Sequence, residues 1–201
     1  MQEPHNQPIS LRISVTDRCQ YRCGYCTSSD ASAGSVGDEV LSPDEIMELV
    51  RVVADRFGLS KVHLTGGEPL LRREIVRLTR MLRAEAVPDI ALTTNGQLLE
   101  ELAVPLRKAG LDRVNVSVDS LDPAVYRRLN GVEASLDRTL RGVEAAISAG
   151  LAPVKINTVL LRGRNLAEVP RLVRWAAGMG CQIRFIELMP LGCIEDIFSE
   201  L

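Results

Sequence analysis

The sequence has little aromatic content, almost no lysine and no long apolar run. Only 3% of its 201 residues are Phe, Trp or Tyr, too few for a surface on which nucleic-acid bases stack. Lysine occurs only at Lys61, Lys108 and Lys155, and the formal net charge is −2. No basic field attracts nucleic acid, and no acidic tail is present. No stretch approaches the roughly 18 consecutive apolar residues of a membrane span, and the polar opening Met1–Pro8 is no secretory leader. Nucleic-acid and membrane partners are therefore not expected. The hydrophobic share of 46% and charged share of 25% are ordinary for a globular protein. The expectation is a cytoplasmic single domain over 1–201, with about 190–201 as a short tail. The five cysteines are an odd number, which in a chain without a leader argues for metal or catalysis rather than a disulfide framework.

Short β-rich runs alternate with longer amphipathic stretches. Strands are predicted at 10–16, 61–65, 89–94, 113–119, 154–160 and 182–188. Helices are predicted at 43–57, 72–85, 98–109, 123–130, 135–149 and 167–179. Ser42-Pro43-Asp44-Glu45 supplies a capping residue, a proline at the first helical position and acids in the first turn. Gly58, Gly110, Gly150 and Gly180 each stand where a helix closes. Such β-α alternation implies right-handed crossovers and a parallel sheet. The strands are not continuously apolar, as they are when both faces are covered. Val114, Val116 and Val118 alternate with Asn115, Ser117 and Asp119, and Leu11, Ile13 and Val15 with Arg12, Ser14 and Thr16. Helices cover the apolar face, so the polar face lines a shared interior. The architecture expected is α/β, a partial (β/α)6 open barrel around a polar ligand.

Cys19, Cys23 and Cys26 fall within eight residues just after the first strand. Soft thiolate ligands select zinc, copper(I) or iron–sulfur. A structural zinc site wants four closed ligands, and no fourth stands at the usual paired spacing. A cubane cluster usually takes four cysteines; three leave one iron open to another ligand. A zinc knuckle and unrelated thiols are the competing readings of these residues alone. Cys181, at a helix-to-strand junction, is expected to be a buried structural thiol, and Cys193 alone holds no cluster.

The run CxxxCxxC, with Tyr25 before its third cysteine, resembles the signature of the radical S-adenosylmethionine (SAM) superfamily. TGGEP at 65–69, TTNG at 93–96 and SVDS at 117–120 strengthen the match. Within that superfamily the chain from about Leu11 to Gly192 resembles the GTP 3′,8-cyclases of molybdenum-cofactor biosynthesis. The resemblance implies a [4Fe-4S] cluster on Cys19, Cys23 and Cys26, with SAM on the open iron and beside Tyr25, Gly66, Gly67, Glu68, Ser117 and Met189. It implies reductive cleavage of SAM by an electron donor such as a flavodoxin or ferredoxin, and a radical that abstracts hydrogen from substrate. Arg12, Thr93 and Lys155 match positions that contact GTP. Lys155, mid-strand and inward-facing, is suited to a triphosphate. No catalytic side chain is assigned.

Two departures bear on the substrate. His63 stands where the cyclases carry an arginine that contacts GTP. The cyclases' C-terminal portion, with a second three-cysteine cluster that binds the purine, has no counterpart up to Leu201, so weak coupling of SAM cleavage to GTP cyclisation is expected of these residues. A compact radical SAM enzyme acting on a peptide or another small molecule, and a non-catalytic metal-binding module, are the alternatives.

Overall fold

The computed structural model describes residues 7–26, 40–131 and 133–189. Six strands, β1 (Ile9–Ser14), β2 (Leu59–Thr65), β3 (Ile90–Thr94), β4 (Arg113–Ser117), β5 (Lys155–Leu160) and β6 (Gln182–Glu187), pair in sequence order. Every pair is parallel. The crossovers carry α1 (Pro43–Phe57), α2 (Ile75–Ala84), α3 (Leu99–Ala109), α4 (Pro123–Asn130), α5 (Leu136–Ser148) and α6 (Val169–Gly178). The sheet curves into a half-barrel with β1 and β6 as its two edges. The expected tail at 190–201, with Cys193, lies outside the described residues.

Alternation within the strands sets the two faces. Val62, Leu64, Ile90, Leu92, Val114, Val116 and Ile156 are buried, and with Ile46, Met47, Leu78, Leu82, Leu106 and Val143 from the helices they form one core. Burying apolar area there is worth about 25 cal/mol per Å², which fixes which face each strand turns outward. A slip by one residue would exchange the faces. The inner face is polar, as expected. Arg12 lies opposite His63, Thr93 opposite Asn115, Asn115 opposite Lys155, and Asn157 opposite Arg184.

Helix ends follow the local chemistry. Ser42 and Glu45 close a reciprocal capping box on α1, and the Asp122 carboxylate accepts from Ala124 N and Val125 N at the start of α4. The four predicted closing glycines all have positive φ. One boundary moves. The helix expected from residue 72 begins at Ile75, because Pro69–Leu71 form a separate 3₁₀ turn capped by the Glu68 side chain. Arg72 is then extended and spans two segments, donating to Val15 O and Leu41 O. The fourth strand also ends early, at Ser117, so that Asp119 leaves the sheet line and receives the Val159 N–H.

Candidate functional site

Because all six strands run the same way, the cysteine loop after β1, the glycine turn after β2, the TTNG turn after β3, Ser117 at the end of β4 and Met189 after β6 share the C-terminal edge of the half-barrel. Ligands of open parallel α/β sheets collect at that edge.

The cysteine loop is held at several points. Arg22 N donates to Asn130 O, Gly24 N to Leu129 O, and Cys26 N closes a turn on Cys23 O. Cys19 and Cys23 pack against the core, while Cys26 is exposed. The Cys19 sulfur accepts from Tyr21 N at 3.4 Å, and Cys23 Sγ donates to Asn130 Oδ1 at 3.1 Å. Burial raises the Cys19 and Cys23 thiols above their ordinary value, and the Cys26 thiol adds to both rises. Among the described residues no three His, Cys, Asp or Glu side chains converge on one ion-sized point. The donor set nevertheless fits an iron–sulfur centre. Three soft ligands share one anchored loop, close enough to repel one another as thiolates, and a cationic centre relieves that repulsion.

Beneath the loop lies a buried hydroxyl network. Tyr21 OH lies 3.2 Å from Tyr126 OH and 3.4 Å from Thr139 Oγ1, and the two rings meet edge to face. Thr139 Oγ1 also receives Gln97 Nε2 at 2.8 Å and donates to Asn95 O at 3.0 Å. One threonine on α5 thus joins the cysteine loop, α4 and the TTNG turn. Nothing in the local pattern marks this role, since Thr139 sits in an ordinary amphipathic helix.

The glycine turn is shaped by protein backbone. At Gly66, φ is +152°, and a Cβ there would stand 2.4 Å from Thr16 O; at Gly67 it would stand 2.5 Å from Arg18 O. Gly67 N and Glu68 N donate to Thr16 O and Arg18 O, both at 2.7 Å. The glycines thus let this turn pack closely against the segment that leads into the cysteines. Glu68, expected beside SAM, is 1% exposed. Its carboxylate takes Leu70 N, Thr94 Oγ1 and Asn95 N at 3.0, 2.7 and 2.7 Å. Every bond is internal, so Glu68 positions the glycine turn against the TTNG turn. Burial raises it to about 7 despite those three donors. Tyr25 is likewise engaged, its hydroxyl on the Asp119 carboxylate. Ser117 is half-buried at its strand end, and Met189 is exposed beyond β6.

The four substrate candidates come together in the interior. His63 Nε2 lies 2.7 Å from Thr93 Oγ1, Arg12 is the register neighbour of His63, and Asn115 links Thr93 to Lys155 across the sheet. Burial first, then the positive charges of Lys61, Arg12, Arg113 and Arg184, lowers His63 to about 4. His63 is therefore neutral here and supplies no cation at neutral pH. The structure adds two cations that sequence reading missed. Lys61 is lowered by burial and by Arg113, Lys155 and Arg184. Arg184 keeps its Nε on Asn157 Oδ1 at 3.0 Å. Arg113 is neutralised by Asp89. Among the described residues, Arg12, Lys61, Lys155 and Arg184 form no ion pair with a carboxylate. The available signal was the alternation itself, which sets Lys61 on the face of His63. Cys181, expected to be buried, is half-buried against the core between α6 and β6. No described helix is long and apolar enough to cross a membrane.

Comparison with known proteins agrees with this geometry. The chain is 45% identical over 193 residues to a probable GTP 3′,8-cyclase of Methanothermobacter marburgensis, covering 96% of this chain and 62% of that one. It is 43% identical over 195 residues to the GTP 3′,8-cyclase of Thermodesulfovibrio yellowstonii, covering 96% and 60%. It thus spans about 60% of the length of these curated relatives. Among solved structures, Streptococcus suis SuiB bound to S-adenosylmethionine superposes with a TM-score of 0.75 at 20% identity, over 92% of this chain and 41% of that one. Methylornithine synthase superposes with a TM-score of 0.71 at 18% identity, over 92% and 55%; at these identities the likeness concerns the fold. The model of the Radical SAM superfamily matches residues 13–176. With three cysteines on the loop after the first strand of a parallel half-barrel, the chain belongs to the radical SAM superfamily, whose enzymes use a [4Fe-4S] cluster and S-adenosylmethionine.

Proposed function

We propose that this chain is the catalytic half-barrel of a GTP 3′,8-cyclase-type radical SAM enzyme. Cys19, Cys23 and Cys26 hold the cluster, SAM lies along the C-terminal strand edge beside Tyr25, Gly66, Gly67, Ser117 and Met189, and a nucleoside triphosphate fills the interior. Bound there, the cluster and SAM supply a 5′-deoxyadenosyl radical that removes a hydrogen atom from substrate, one electron coming from a small reductant such as a flavodoxin or ferredoxin. The protein's own part is to bind and orient. Arg12, Lys61, Lys155 and Arg184 neutralise phosphates, and the internal bonds of Glu68, Thr139 and Asp119 fix the loops at the strand edge. The observation that carries the substrate class is the set of cations without carboxylate partners inside a half-barrel. A peptide would not require so much positive charge, whereas a triphosphate brings about four negative charges and prefers charge-assisted bonds.

The test is binding of GTP and of inorganic tripolyphosphate to the anaerobically reconstituted chain, followed by product analysis with SAM and dithionite. Lys155→Ala is expected to weaken both ligands by about tenfold, the loss of one charge-assisted contact, while 5′-deoxyadenosine formation without GTP is unchanged. A colourless protein carrying one zinc would overturn the enzyme reading in favour of a metal-binding module. Tight binding of a peptide with none of tripolyphosphate would overturn the substrate class.

A further inference from the structure

Asn115 is 3% exposed and stands on the inner face of β4, between Thr93 on β3 and Lys155 on β5. Its Nδ2 lies 3.1 Å from Thr93 Oγ1 and 3.3 Å from His63 Nε2, and Thr93 Oγ1 lies 2.7 Å from His63 Nε2. Its Oδ1 is buried without a hydrogen-bond partner among the described residues.

The triangle has a consistent assignment. One Asn115 amide N–H points to Thr93 Oγ1, the Thr93 hydroxyl donates to His63 Nε2, and the neutral imidazole carries its proton on Nδ1. In this orientation the carboxamide oxygen is the atom left facing the interior without a partner among the described residues. A buried acceptor of this kind is costly unless something donates to it.

Phosphate oxygens are acceptors and cannot serve. The donor must belong to another part of whatever the neighbouring cations hold. Lys155 is the register neighbour of Asn115, so the free oxygen lies beside the cations and meets the group attached to the phosphates. In a nucleotide that group is the sugar. We propose that Asn115 Oδ1 accepts a hydrogen bond from a ribose hydroxyl of the bound nucleoside triphosphate, so that the interior selects ribonucleotides over deoxyribonucleotides. This inference rests on the nucleotide reading above. A site built around a hydroxyl rejects the analogue that lacks it, because its own polar atom is then stranded.

The test measures binding of GTP, 2′-deoxy-GTP and 3′-deoxy-GTP to the reconstituted chain, with the same series for ATP. One of the two deoxy analogues is expected to bind about tenfold more weakly than its parent, for both bases alike. Asn115→Leu, close in shape but without an acceptor, is expected to close that gap while its affinity for tripolyphosphate stays that of the wild type. Should Asn115→Leu fail to fold, Asn115→Ala, likewise without an acceptor, carries the same comparison, and the wild-type series decides the sign alone. Equal affinity of the wild type for a ribonucleotide and both deoxy forms overturns the inference and leaves the nucleotide reading standing. So does a gap that persists in both variants, or one that appears with GTP alone and therefore belongs to the base. Failure of every triphosphate to bind overturns the nucleotide reading and this inference with it.

Discussion

The Tyr25 hydroxyl donates to the Asp119 carboxylate and so ties the cysteine loop after β1 to the end of β4, three strands away. Asp119 is 1% exposed and raised to about 6 by burial, even though Tyr25 and Val159 N both donate to it. A carboxylate in that position is costly to strip of a donor. Tyr25→Phe is expected to lower unfolding stability by about 1.5–3 kcal/mol, the range for a hydrogen bond to a charged group. Tyr25→Phe with Asp119→Asn is expected to cost less than the sum of the two single changes, because they share one contact. Urea unfolding of the four proteins checks both. Additive losses would mean that the contact does not form in solution.

The cysteines make a sharper prediction. Anaerobic reconstitution with iron and sulfide is expected to give a brown protein absorbing near about 400 nm. Cys23→Ala is expected to abolish that band, since two remaining thiolates do not keep the centre. Cys181→Ala is expected to leave it unchanged, because Cys181 sits between α6 and β6, away from the loop. A band that survives Cys23→Ala would sink the ligand assignment.

Glu68 gives the protein a pH dependence of definite sign. Its ordinary value of 4.5 is raised to about 7, chiefly by burial. The folded protein therefore holds this proton where the unfolded chain has lost it. That contribution to stability is full below about pH 4.5 and is lost as pH rises to about 7, amounting to about 3 kcal/mol if the whole shift is expressed. Glu68→Gln removes the titration. Although the amide cannot accept from Leu70, Thr94 and Asn95 as the carboxylate does, its deficit relative to wild type is expected to shrink between pH 5 and pH 7. Parallel stability curves for the two proteins across that range would contradict the assignment.

Much of this was legible in local pattern, and the exceptions share one cause. Each predicted strand lies within two residues of its observed ends, because burial alternates with period two and the strands carry that alternation openly. The outer valines of β4 and the inward Asn115 and Ser117 are visible in five residues of sequence. The roles of Glu68 and Thr139 were not visible, since their partners lie on other turns, and which turns meet is decided by the order in which parallel strands pair. Lys61 and Arg184 were missed for a related reason. A single basic residue in a strand looks like a solvated edge until its neighbours in the sheet are known to be cations as well. Glu68 belonged to a quoted motif read for its ligand, and a motif read that way carries no sign of the bonds its carboxylate takes from Thr94 and Asn95 on another turn.

His63 is the residue on which the affinity of the interior for a polyanion turns. It occupies the place of an arginine in the cyclases that the sequence resembles, and it is lowered to about 4 by burial and by Lys61, Arg12, Arg113 and Arg184. Between pH 6 and 8 it therefore offers a hydrogen-bonding ring and no charge. His63→Arg introduces a cation beside Arg12, at the expense of the bonds to Thr93 and Asn115. The repulsion among like charges and the broken triangle are expected to cost about 1–2 kcal/mol of folding stability, seen as a lower Tm. With a polyanion present the sign reverses, because one more charge-assisted contact is worth about 1.5–3 kcal/mol, or roughly ten- to a hundredfold in affinity. Titration with tripolyphosphate at neutral pH is expected to show tighter binding by His63→Arg than by wild type. The gain should shrink at high salt, as screening requires. Unchanged or weaker binding in a folded His63→Arg protein would mean that the phosphates lie beyond the reach of this position, and that the cations gathered around His63 serve some other anion.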